Sequence, residues 1–403
     1  MSVITASDVE NAKDAIVVGP RDIVTPLARD RAKDLKIQIM VGAAPPQAPK
    51  ANPATPLAEG RRTGKPAVPV PASGALYRRG APISGLDKGG AARVDPRPSV
   101  AVVGAGHVGA MTALRLAECD LFSRIALIDI VPGLAAGLAL DILHAAALRG
   151  FTTRLEGSAD LAALAGADFV LVTAGRARQP GMSRTDLTSA NAEIIRAVAA
   201  AIRAHAPEAI VVVVTNPLEE MTHLLAQASG LPQERVIGMA GVLDTARFRA
   251  LVGLTGVAKP EEVGAYALGS HGPEMVIPLS QASAKGVLLE QLMEKEVLEA
   301  LVERTRDSGA EVIELLQKGS AYFAPAESAV AMVRAMARNT NEVLTACVLP
   351  KGKYGLADTR VGLPVRLTRA GAGEVVVLDL RPGELQALRE AAIRIDARIR
   401  ALG

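Results

Sequence analysis

Four short, nearly continuous apolar runs, Val100–Val103, Ile125–Ile128, Phe169–Thr173 and Ile210–Thr215, alternate with segments of helical period over residues 99–215. A strand with no polar alternation must be covered on both faces, and helices between such strands supply the cover. The helical patterns Val108–Cys119, Gly137–Ala147 and Asn191–His205 sit between the runs. The expected architecture is therefore α/β, with a doubly wound parallel sheet. Beyond about residue 240 the texture becomes mixed. Long helices are expected over Leu288–Ser308 and Ser328–Arg338, and strands around Val343–Leu349 and Val375–Leu380. Leu385, Leu388, Ile395, Ile399 and Leu402 fall at helical steps and predict an amphipathic closing helix over Glu384–Leu402.

Residues before this region behave differently. Residues 43–98 contain eleven prolines and nine Lys/Arg against three Asp/Glu, with no apolar period. Such a composition cannot bury enough surface to offset its ordering entropy, and a disordered linker is expected. It carries the basic excess behind the chain's net charge of +3, since residues 1–42 hold six bases and six acids. With Tyr77 as its single aromatic it reads as a solvated spacer rather than a nucleic-acid or membrane binder. Residues 1–42 form a small module: an apolar run Ala15–Val18 ended by Pro20, a helix Leu27–Leu35 with Thr25 as N-cap and Pro26 at its first position, and a strand Ile37–Val41. A β-α-β piece this small is expected to dock on something.

The remaining exclusions are brief. The first 30 residues lack a continuous apolar stretch, so no signal peptide is expected, and no run approaches the ~18 residues of a membrane span. Cys119 and Cys347 form no CxxC pair, so neither a disulfide framework nor a metal site is expected, and a cytoplasmic location is the default.

Chemistry enters at the loop after the first strand. Gly104-Ala105-Gly106-His107-Val108-Gly109 is a GxGxxG between a strand and a helix, and Asp129 closes the next strand. The glycines permit a tight turn and close backbone approach, with the helix N-terminus turned toward a pyrophosphate. A carboxylate at Asp129 accepts from ribose hydroxyls and repels a 2′-phosphate, which favours NAD over NADP. This is the Rossmann pattern; His107 within it reads as a variable position rather than a catalyst. Asn216, in Thr215-Asn216-Pro217 at the carboxyl edge of the fourth strand, can hydrogen-bond a nicotinamide carboxamide or a substrate.

Asp244 and Arg247 share a helix face in GVLDTARF, and His271 lies in the small-residue turn Gly269-Ser270-His271-Gly272. Glycines alongside suggest an accessible histidine. Oxidising a secondary alcohol requires a group that takes its hydroxyl proton, and a carboxylate behind a histidine fixes the tautomer for that task. Arg247 offers a planar fork for a carboxylate. Arg178 and Arg184, six positions apart in TAGRARQPGMSR after the third strand, suit a small dicarboxylate, with Arg176 as a rival.

On VVGAGHVG, TAGRARQPGMSR, VVTNPLEEMT, VIGMAGVLDTARFR, GSHGPEM, KGSAYFAPA and KGKYGLADTRVGLPV, residues 99–403 resemble the lactate/malate dehydrogenase superfamily, within its lactate-dehydrogenase-like branch of malate dehydrogenases. The resemblance implies an NAD-binding domain over 99–240, a mixed α/β substrate domain over 241–403, and a homotetramer or homodimer. It implies His271 as acid/base, Asp244 as its partner, Arg247 as the clamp on the C1 carboxylate and Arg184 as the group polarising the carbonyl. Thr173, Ala174, Gly175, Asn191 and Asn216 are implied as cofactor contacts.

Arg178 falls on the position that separates substrates, where lactate enzymes carry Gln. Left unpaired against a methyl group in a closed site, an arginine there costs about 3–5 kcal/mol, which is about 10²–10³ or more in discrimination. Malate is the expected substrate; lactate or a broader set of 2-hydroxy acids is the alternative. Two positions depart from the family pattern: Pro273 stands where an Asp is usual, with consequences for how the histidine turn is braced, and Gln179 where a base is common. The stretch IVTPLARDRAKDLKI resembles modules appended to enzymes packaged in bacterial microcompartments, and subunit-binding domains of multienzyme complexes. Docking on a shell or scaffold, an arm on a neighbouring subunit, or a dispensable extension all stay open.

Overall fold

The computed structural model describes residues 3–4, 8–9, 12, 15–19, 22–41, 95–176 and 184–402, which fall into two units, 1–68 and 69–403. In the first, β1 (Val3–Ile4) pairs in parallel with β3 (Ile23–Val24), and β2 (Ala15–Val18) with β4 (Gln38–Val41). Between them α1 (Pro26–Asp34) starts at Thr25, whose hydroxyl accepts from the Ala28 N–H at 3.2 Å. The expected β-α-β order is present. The pairing of β1 with β3 was not foreseen, because two-residue strands carry no period. Val9, Ala28 and Ala32 form a small core against Ile4, Val24, Ile37 and Ile39.

The second unit is organised by one sheet. Its parallel part runs through β5 (Ser99–Val103), β6 (Arg124–Ile128), β7 (Arg154–Ser158), β8 (Phe169–Val172), β9 (Ile210–Val213) and β10 (Val236–Gly238), in the spatial order β7-β6-β5-β8-β9-β10. The order reverses between β5 and β8, which opens a crevice at the carboxyl ends of these strands. Alternate residues of each strand enter opposite cores: Val100 and Val102 pack under α2 (His107–Glu118) and α3 (Leu134–His144), while Ala101 and Val103 pack under α4 (Arg184–His205) and α5 (Leu218–Ser229). Both faces are covered, as the unbroken apolar runs require.

The sheet does not stop there. After α6 (Gly241–Leu254), a three-stranded sheet of β11 (Val263–Gly264), β14 (Ser283–Ala284) and β15 (Val287–Leu288) flanks a hairpin of β12 (Leu268–Gly269) and β13 (Met275–Val276). Then come α7 (Lys295–Leu316), α8 (Phe323–Arg338), β16 (Val343–Val348), β17 (Val361–Thr368), β18 (Gly371–Val375) and α9 (Pro382–Arg400). β16 joins β10 antiparallel through Gly238 and Cys347, and β17 and β12 extend the sheet beyond it. Dinucleotide-type and mixed halves thus share eleven strands.

Several expected boundaries move. The helix expected over Leu288–Ser308 is split: a single turn, Leu289–Leu292, ends where Met293 and Glu294 become extended, and α7 then runs from Lys295 to Leu316. The strand expected over Val375–Leu380 lies earlier, as β18 paired with β17. β17 itself was not anticipated. Pro364 interrupts its apolar run, and a proline argues against an interior strand.

Candidate active site

The glycine loop is shaped by backbone crowding. Gly104 has φ +101°, and a Cβ on Gly109 would fall 1.8 Å from the Gly104 carbonyl oxygen. Gly106, which caps α2, has open space where its Cβ would be. Thr173 ties the loop to β8 by donating to the Gly104 carbonyl at 3.0 Å. One Asp129 oxygen accepts from the Ala105 N–H at 2.7 Å and the other from the Val131 N–H at 2.9 Å. A tight glycine turn with open space at Gly106, a helix N-terminus and an adjacent carboxylate fit a dinucleotide.

The far wall is laced by side chains. Asn191, buried in α4, accepts from the Arg176 N–H at 2.7 Å and donates to the Asn216 carbonyl at 2.7 Å. Thr215 donates to the Ala174 carbonyl at 2.7 Å, and a Cβ on Gly175 would meet the Thr215 methyl at 2.7 Å. Ala174 and Gly175 are therefore held against Thr215 and Asn216. Asn191 fastens these turns together and also lines the cleft between the walls.

At the head of the crevice, three expected residues meet. Gly241 lets α6 approach the sheet, since a Cβ there would lie 2.3 Å from the Ala267 carbonyl oxygen. One turn later Asp244, 1% exposed, accepts from Arg247 Nη1 at 3.2 Å and faces His271 Nδ1 at 2.8 Å. His271 sits at the tip of the β12–β13 hairpin with 18% of its side chain exposed. It is packed more tightly than its small neighbours suggest, because carboxylates approach it from two elements. The second is Glu219 of α5, which accepts from the His271 backbone N–H at 2.7 Å. Glu219 was not expected here, although it lies two residues beyond Asn216-Pro217 at a carboxyl strand edge.

Electrostatics follow from this packing. Burial acts to lower the His271 pKa, yet the Asp244 carboxylate at 2.8 Å, aided by Glu219, carries it above 6.5 against the opposing charge of Arg247. Burial raises the Glu219 pKa, partly offset by its bond to the His271 N–H. With Nδ1 engaged by Asp244, Nε2 is the nitrogen left to exchange a proton.

A cleft of about 480 Å³ joins the two walls, lined among others by Gly106, His107, Asn216, Arg247, His271 and Tyr322. The His107 ring lies against Tyr322, centroids 5.1 Å apart. Arg176 also lines the cleft and is exposed. Arg184 begins α4; its side chain, and Arg178 altogether, lie outside the described residues.

A cradle for a dinucleotide facing a carboxylate-backed histidine and an arginine defines a nicotinamide-type oxidoreductase site. The chain belongs to the lactate/malate dehydrogenase family: residues 99–238 match the model of its NAD binding domain and residues 241–401 that of its alpha/beta C-terminal domain. It is 41% identical over 303 residues to the malate dehydrogenase of Chlorobium luteolum, covering 75% of this chain and 98% of that protein. Among solved structures, the malate dehydrogenase of Cryptosporidium parvum superposes with a TM-score of 0.73 at 34% identity, covering 76% of this chain and 99% of the other. The lactate dehydrogenase of Cryptosporidium parvum, solved with lactic acid and NAD, does so with 0.73 at 33%, covering 76% and 98%.

Proposed function

We propose that this chain catalyses reversible hydride transfer between L-malate and NAD, giving oxaloacetate. One observation carries the proposal: Asp244 touches both His271 and Arg247 at the head of the dinucleotide cleft. In malate oxidation His271 Nε2 takes the hydroxyl proton while Asp244 fixes the tautomer and stabilises the imidazolium. Arg247 holds the C1 carboxylate through its fork. The bound nicotinamide supplies the hydride acceptor. From sequence, Arg184 stabilises charge on the carbonyl oxygen and Arg178 pairs with the second carboxylate.

The choice of malate over lactate rests on Arg178 and on the likeness to malate dehydrogenases of Chlorobium and Trichormus at 41–43% identity. Steady-state oxidation of NADH with oxaloacetate against pyruvate tests it: kcat/KM is expected to favour oxaloacetate by about 10²-fold or more, and equal values reject it.

The same proposal makes the enzyme a cytoplasmic homotetramer or homodimer. No helix among the described residues is long and apolar enough to cross a membrane. Residues 1–42 are assigned to docking and residues 43–98 to a spacer. Deleting residues 1–95 is expected to leave activity intact. Loss of the oligomer on deletion marks the module as an arm between subunits, and loss of cellular position alone marks it as a packaging or scaffold-binding module.

A further inference from the structure

The turn carrying His271 is braced from an unexpected direction. Residues 270–274 join β12 to β13, and proline at 273 contributes no N–H to hold the turn. Glu274 closes it instead: one oxygen accepts from Ser270 Oγ at 2.8 Å and the other from Arg398 Nη1 at 3.0 Å. Arg398 stands in the last turn of α9, and its Nε donates to Glu220 Oε1 of α5 at 2.9 Å. One guanidinium therefore spans the first turn of α5, the histidine turn and the closing helix. It is 21% exposed, against 3% for Glu220 and 15% for Glu274.

Glu219, next to Glu220, bonds the His271 backbone N–H. Of the three poorly solvated carboxylates Glu219, Glu220 and Glu274, the first bonds the histidine backbone and Arg398 touches the other two. Arg394, half exposed and 4.0 Å from Glu274, is the more distant cation.

We propose that Arg398 is a positioning residue for His271: it anchors the histidine turn through Glu274, holds α5 and hence Glu219 through Glu220, and balances their charge. The proposal rests on the acid/base role given to His271 above. The groups packed around that histidine are Asp244 and Arg247 of α6, Glu219 of α5 and Glu274 of its own turn, with Arg398 behind them and Arg306 of α7 donating to the Met275 carbonyl at 3.1 Å. Removing the guanidinium leaves an excess of carboxylate charge, which favours the imidazolium.

The test uses the full chain with Arg398→Met, Arg398→Lys and Glu274→Gln. Arg398→Met is expected to lower kcat for oxaloacetate reduction about tenfold to a hundredfold through misplacement of the histidine. KM is expected to stay within about threefold, because the substrate-holding arginines remain. The pH midpoint of kcat moves upward. Arg398→Lys restores the midpoint but only part of kcat, since an ammonium cannot bridge both carboxylates. Glu274→Gln moves the midpoint downward, and this opposite sign decides the matter where Arg398→Met does not fold. NMR titration of the histidines, five in the chain, reads the His271 midpoint without substrate once His271→Gln assigns its signal. Should wild type not reduce oxaloacetate, the assigned reaction fails while this titration still decides the brace. Unmoved midpoints in the variants overturn the proposal, and so does a general loss of melting temperature and NADH affinity without a shift.

Discussion

The two halves of the catalytic unit solve the same positioning problem with different materials. Around the cofactor cradle the shape is set by backbone: Gly104, Gly106 and Gly109 lie within six residues, the first and last letting the loop pack against its neighbours and Gly106 leaving open space. Around His271 it is set by charged side chains gathered from four elements, α5, α6, α9 and the β12–β13 turn. An atom added to the backbone cradle crowds either the protein or the ligand, whereas the titration of the carboxylate network answers to changes of charge. Variants in the two halves should therefore fail in different observables.

The largest expected effect lies in the charged half. His271→Gln removes the proton acceptor, and general acid–base catalysis contributes about 10²–10⁴-fold, so kcat should fall by that factor while NADH binding, read by fluorescence, is unchanged. A loss of NADH binding of similar size would erase the division between the halves. Arg178→Gln comes next. The ratio of kcat/KM for oxaloacetate to that for pyruvate should drop by about 10²–10³, and an unmoved ratio would transfer the selective role to Arg176.

Smaller effects are expected in the cradle, and there two glycines separate fold from ligand. Gly109→Ala forces the new methyl into the Gly104 carbonyl, a strain of about 1–3 kcal/mol that should lower the melting temperature and weaken NADH together. Gly106→Ala meets no protein atom within 4 Å. It should leave the melting temperature alone and weaken NADH only. Equal melting temperatures for the two variants would show that the cradle is more pliant than its contacts imply.

The same contrast decides how much of the molecule is legible in its sequence. The cradle is readable because strand, glycines, helix and Asp129 follow one another within about thirty residues. Asp244 and Arg247 are readable as neighbours on one helix face, and His271 from its turn. The brace is not readable, since Arg398 meets Glu274 and Glu220 across 124 and 178 residues, and Glu219 meets His271 across 52. Only the sheet that runs on from β10 into β16, β17 and β12 brings α9 beneath the histidine turn. Proline at 273 signals that something is missing from the turn but not what replaces it.

The gentlest prediction concerns stability against pH, and it differs in sign between the halves. His271, in the catalytic half, has its pKa raised above 6.5: burial works against this, but Asp244 and Glu219 prevail. The stability it contributes is complete below 6.5 and is lost as pH rises through the folded-state value, because only the folded chain still holds the proton there. His223, half-buried on α5 in the cofactor half, has its pKa lowered from 6.5, by burial first and then by the charge of Arg360. Its effect lies on the other side: as pH falls below 6.5 the unfolded chain takes up the proton first, and stability declines. Taken together, the two histidines place a stability maximum near 6.5. His271→Gln should flatten the alkaline slope and leave the acid slope, while His223→Gln should do the reverse. Melting temperatures of the two variants from pH 5 to pH 9 would check this, and parallel curves would mean that neither histidine is linked to folding in the way its surroundings require.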